Sequence, residues 1–133
     1  MFDHLSIAVV DFEKAQVFYD AILAALGMKR VLTLSDCVGY GRHEDAYFWI
    51  HPLSENSKPV AFLPLDGHIA FTADSNQQVQ DFYRHALALG AADNGQPGLR
   101  EHYQEDYYAA FVIDPDGYRL EAVHRRRTGQ GKF

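Results

Sequence analysis

The feature that most constrains this chain is a repeat of its own sequence. "HLSIAVVDFEKAQVFY" (residues 4–19) and "HIAFTADSNQQVQDFY" (68–83) both begin with His and continue through a short apolar run and a polar turn. Both close on Phe-Tyr at the same distance, and Leu-Gly follows shortly after, at Leu26-Gly27 and Leu89-Gly90. A chain of 133 residues that repeats at about its midpoint is a duplication of one supersecondary unit.

Each copy has the same grammar. In the first, Asp11 suits a helix N-cap, and Phe12, Ala15, Phe18, Tyr19, Ile22, Leu23 and Leu26 recur at helical spacing before Gly27. In the second, Asp74 or Ser75 caps a helix striped by Val79, Phe82, Tyr83, Ala86 and Leu89, ended by Gly90. Strand-like pieces follow: "KRVLTL", "CVGYG" and "AYFWIHP" in the first half, "GAADNG", "YYAAFVIDP" and "YRLEAV" in the second. "QPGLREHYQED" reads as loop, and Asp116-Gly117 as a hairpin turn. Asp114 and Asp116 are turn formers on this reading rather than ligands.

The order is therefore βαβββ twice, an α+β fold in which two modules with curved mixed sheets enclose a concave site and carry their helices outside. It is expected as one domain: module 1 over about 1–52, a linker over about 53–66 containing Pro59 and Pro64, module 2 over about 67–125 and a solvated tail over 126–133. Three adjacent arginines, Arg125 to Arg127, open onto that tail, where they are either solvated or in contact with an anionic ligand.

Three polar residues interrupt apolar strands: His4, His68 and Glu121. Strand alternation puts Ile7 and Val9 on the helix side and His4 and Ser6 on the other; Leu120 and Ala122 likewise leave Glu121 facing the concavity. Two imidazoles and a carboxylate on separate strands can hold a divalent ion and leave positions open, and Fe, Mn, Ni, Co or Zn all suit such a set. His4 and His68 stand at the same place in each copy, which favours ligands over chance. His43, His85, His102 and His124 lack such partners and are read as surface residues.

Totals exclude several alternatives. Eighteen acidic against twelve basic residues, a formal charge of −6, disfavour nucleic acid and anionic membrane. The single cysteine, Cys37, leaves no internal disulfide and no cysteine-cluster metal site. No secretory leader and no membrane-length apolar run are visible, so the cytoplasm is expected.

The stretches "DHLSIAVVDFEKAQVFYDAIL", "GHIAFTADSNQQVQDFY" and "AAFVIDPDGYRLEAV" resemble the vicinal oxygen chelate superfamily, which includes glyoxalase I, extradiol dioxygenases, and fosfomycin- and bleomycin-resistance proteins. The resemblance spans nearly the whole chain. It implies a homodimer, a small-molecule substrate or ligand, and metal ligands from the first and last strands of each module: His4, His68 and Glu121, with a fourth position at Trp49 or His51. Trp49 stands where glyoxalase I has a carboxylate, and an indole cannot ligate. His51 is the candidate for the fourth, proton-transferring place. A set of two His and one Glu without a fourth ligand also resembles the extradiol centre. Around it, Tyr108 is expected to face inward as a proton donor, with Trp49, Arg100, Tyr103 and Tyr107 as substrate contacts. Two functions follow: a metal-dependent lyase, isomerase or oxygenase acting on vicinal oxygens, or a metal-free drug-binding protein.

Overall fold

The computed structural model describes residues 1–54 and 67–126; of the expected linker (about 53–66) and tail (126–133), residues 55–66 and 127–133 lie outside the described residues. The chain divides into two compact units, Met1–Gly67 and His68–Phe133. The first contains β1 (Leu5–Val9), α1 (Phe12–Ala24), β2 (Lys29–Thr33), β3 (Val38–Arg42) and β4 (Asp45–Pro52). The second contains β5 (Ile69–Thr72), α2 (Asn76–Ala88), β6 (Ala92–Leu99), β7 (Tyr108–Ile113) and β8 (Arg119–His124). Each is a four-stranded mixed sheet, ordered β1-β4-β3-β2 and β5-β8-β7-β6, with the first strand parallel to the last and the others antiparallel. The βαβββ duplication is thus a feature of the fold as well as of the sequence.

Both helices start and stop where local chemistry directs. The Asp11 carboxylate accepts from the Lys14 backbone N–H, and the Ser75 hydroxyl accepts from that of Gln78, so Ser75 rather than Asp74 caps α2. Gly27 and Gly90 adopt φ of +79° and +102°, the left-handed conformation that ends a helix at little cost to glycine. In the first unit Phe18, Tyr19, Ile22 and Leu23 of α1 bury against Ile7, Val9, Val38, Phe48 and Ile50. Each such side chain contributes roughly 1.5–3 kcal/mol on leaving water. In the second unit Val79, Phe82 and Ala86 meet Ala110, Val112, Leu120 and Ala122, while Leu89, expected in the stripe, is exposed.

β6 is longer than its sequence predicts. Gln96, Pro97, Gly98 and Leu99 are strand, with register shifts at Gly95 and between Gly95 and Gly98. This edge strand pairs with β7 alone, so a proline without an N–H costs it no second ladder, and the bulges absorb the glycines. The turn before β8 follows expectation: the buried Asp114 carboxylate accepts from the backbone N–H groups of Asp116 and Tyr118, at 2.9 and 2.8 Å, and Gly117 has φ +94°.

Candidate functional site

Register decides which residues correspond between the units. In the first, Ser6 pairs with Trp49 and Ala8 with His51; in the second, Ala70 pairs with Glu121 and Thr72 with Val123. His4 and His68 each stand two residues before the first partner, so Trp49 occupies the place of Glu121 and His51 that of Val123. Of the two positions open to a fourth ligand, Trp49 is therefore the structural counterpart. His51 is one alternation further along, half-buried, with Nδ1 3.2 Å from the Pro52 carbonyl oxygen.

Glu121 is 1 % exposed, and a buried carboxylate needs partners for both oxygens. It has them. His68 Nε2 lies 3.0 Å from Oε1, and the Tyr107 hydroxyl donates to Oε2 in a very short bond. Burial, and next the bond to this carboxylate, raise the Tyr107 phenol above its ordinary range and keep it protonated as a donor. Across β7–β8, Phe111 pairs with Glu121; its ring stands edge-on to His68 at 6.1 Å and under the Arg100 guanidinium at 5.4 Å. Arg100 also donates to the Gln96 carbonyl at 2.7 Å. Tyr103 contacts the Tyr107 ring at 5.2 Å and packs at a tilt against His102 at 4.1 Å.

Tyr108 corrects the expected inward orientation. Ala110 and Val112 pair with Ala122 and Leu120, which are the helix-side residues of β8, and Tyr108 shares their face. Its hydroxyl accepts from Gln80 of α2 at 2.9 Å, and it pairs in register with His124, whose Nδ1 lies 2.9 Å from Asn76 Oδ1 of α2. Tyr107, one residue earlier, is the tyrosine that reaches Glu121.

In the first unit the face away from α1 forms a groove of about 690 Å³, lined by His4, Ser6, Leu32, Cys37, Trp49 and His51 among others. The Trp49 ring crosses Gly39, its register partner, so closely that a Cβ there would lie 2.8 Å from it. His4 Nδ1 is 2.6 Å from Asp3 Oδ1, an arrangement that favours the proton on Nδ1 and leaves the Nε2 lone pair available to a metal ion. Among the described residues, no three His, Cys, Asp or Glu side chains form a group able to hold a metal ion. The His68–Glu121 pair nonetheless has suitable chemistry: a nitrogen and an oxygen 3.0 Å apart match two donors each about 2.1 Å from one ion at roughly a right angle.

Residues 1–122 match the Glyoxalase/Bleomycin resistance protein/Dioxygenase superfamily. This chain belongs to that superfamily. Among solved structures, a glyoxalase/bleomycin resistance protein from Albidiferax ferrireducens T118 is 30 % identical with a TM-score of 0.80, over 94 % of this chain and 99 % of that one. A fosfomycin resistance protein, FosX, from Listeria monocytogenes is 18 % identical with a TM-score of 0.64, over 95 % and 93 % of the two chains. A lactoylglutathione lyase from Agrobacterium tumefaciens is 20 % identical with a TM-score of 0.60, over 92 % of each. At such identities the last two show a shared fold and no shared activity. A search of curated proteins finds no match. No described helix of this superfamily member is long and apolar enough to cross a membrane.

Proposed function

We propose that the protein is a divalent-metal-dependent enzyme acting on a small substrate with two neighbouring oxygens, and that His68 and Glu121 are metal ligands in the second unit, with His4 the ligand candidate that the sequence repeat offers in the first. The observation that carries the reading is the His68–Glu121–Tyr107 chain, in which a buried carboxylate has one oxygen toward an imidazole and the other fixed by a phenol. When bound, the ion supplies Lewis acidity to the substrate oxygens. The protein supplies the rest. Tyr107, held protonated, orients the Glu121 carboxylate so that Oε1 stays toward His68. Arg100, flattened on Phe111, offers guanidinium N–H donors at the rim of the same sheet face, and Tyr103 extends the aromatic wall. Asp3 fixes His4 with Nε2 available. A lyase, isomerase or oxygenase is compatible with this set. A homodimer belongs to the proposal on resemblance, and a cytoplasmic location on the sequence expectation.

A second reading, a metal-free binding protein, is favoured by Trp49, which stands at the register place of Glu121 and offers a flat ring beside the first-unit groove rather than a ligand. Metal content per chain, measured by elemental mass spectrometry on untagged protein, separates the two. The enzyme reading expects about one Fe, Mn, Ni, Co or Zn per chain, with affinity reduced at least about tenfold in Glu121→Ala and His68→Ala. Absence of metal after reconstitution with each ion in turn overturns it and leaves the binding reading.

A further inference from the structure

The three-arginine run has one member on the same sheet face as Glu121. Along β8 and just past it, Glu121, Val123 and Arg125 alternate with the helix-side residues Leu120, Ala122 and His124. Arg125 is exposed, but its side chain turns back along the sheet. Its guanidinium lies 5.7 Å from the centre of the Tyr107 ring, the same tyrosine that donates to Glu121, and it donates to Gln104 Oε1 at 3.2 Å. Gln104 is in turn held by donating to Asp106 Oδ1 at 2.8 Å and to the Arg126 carbonyl at 3.0 Å. Arg126 closes the loop, its backbone N–H donating to Asp106 Oδ2 at 2.8 Å.

The guanidinium thus lies over an aromatic ring and donates to an amide, and among the described residues no carboxylate pairs with it. Beside it is a recess of about 160 Å³ lined by Ala70, Thr72, Tyr107, Val123 and Arg125. Apart from Arg125 the lining carries no charge; it contains the Thr72 hydroxyl, while the Tyr107 hydroxyl proton goes to Glu121. A cation over a ring, with most of its N–H fork unused, beside a small uncharged recess with a threonine hydroxyl, is suited to an oxyanion.

We propose that Arg125 and this recess receive an anionic oxyacid group, a carboxylate or a phosphate-like group, of the substrate, and that Arg125 determines specificity for acids over their neutral counterparts. The inference rests on the proposed function for its substrate, although the recess itself requires no metal.

The test uses the full chain in amide-resolved NMR titrations with inorganic phosphate, with 3,4-dihydroxybenzoate and with its neutral counterpart catechol. The proteins are wild type, Arg125→Gln, Arg125→Lys and His68→Ala. Both anions should shift the amides of Thr72, Tyr107 and Val123 in a saturable way, and catechol should bind about ten- to a hundredfold more weakly than the acid. Arg125→Gln should abolish that preference, Arg125→Lys should restore only part of it, and His68→Ala should keep phosphate binding. Equal phosphate affinity in wild type and Arg125→Gln, both with well-dispersed native spectra, overturns the proposal. A preference for carboxylate over phosphate, or the reverse, identifies which oxyacid the recess takes. Phosphate binding that depends on Arg125 in a protein that takes up no metal would sink the enzyme reading and leave this one standing.

Discussion

Tyr40, Asp20 and Arg30 tie α1 to its sheet through one carboxylate. Arg30 donates to both Asp20 oxygens at 2.8 Å, and the Tyr40 hydroxyl donates to Oδ1 at 2.8 Å. Burial first, and next the bond to Asp20, raise the Tyr40 phenol well above its ordinary value near 10. A phenol that holds its proton more tightly when folded contributes stability that is complete below about pH 10 and is lost as pH rises toward the folded value. Tyr40→Phe should therefore cost about 1 kcal/mol in urea melts at pH 7. The gap from wild type should narrow at pH 10.5; a gap that stays constant would show that the phenol titrates as in the unfolded chain. At the candidate site, His68 and Glu121 were legible because they are polar residues in apolar strands, one of them repeated in register. Tyr107 was assigned only a substrate contact, because the phase of β7 follows from which face carries the helix. Ala110 and Val112 look alike from either side. Arg125 was read only as one of three tail arginines, solvated or touching an anion, because its phase with Glu121 along β8 depends on where the strand ends.

Between elements, β3 and β4 approach each other through two glycines that do different work. A Cβ on Gly39 would meet the Trp49 ring at 2.8 Å, and one on Gly41 would lie 1.7 Å from the Asp45 carbonyl oxygen. The first obstacle is a side chain that can swing away; the second is backbone that cannot. Gly39→Ala should move the ring at a cost of about 1–3 kcal/mol. Trp49 is the only tryptophan, so a shift in its emission reports the movement directly. Gly41→Ala should cost more, because it must open the hairpin, and a smaller loss than for Gly39→Ala would contradict this view of the contact. Element order was readable from the repeat, the helical stripes and the Gly stops. The second half of β6 was not, since "GQPGL" has the composition of a loop, and its strand character comes from pairing with β7 rather than from its own propensity.

Over the whole molecule, the duplication produced two units with matching strand order and diverged residues at one register position, Trp49 in the first and Glu121 in the second. On the proposed function, metal binding depends on the native pairing of β5 with β8, which brings together His68 and Glu121 from opposite ends of the second unit's sequence. An unfolded chain has no such pairing, so binding free energy adds to folding free energy. At free metal a hundredfold above its dissociation constant the gain is about 2.7 kcal/mol, or on the order of 10 °C in melting temperature for a chain of this size. Calorimetric scans with and without chelator should show that difference in wild type and lose it in Glu121→Ala. Tyr107→Phe should retain part of it, because the carboxylate remains but its orienting hydrogen bond is gone. A melting temperature that ignores metal yet rises with an aromatic ligand would instead place the stabilising contact in a groove such as that beside Trp49, and would favour the binding reading over the enzyme.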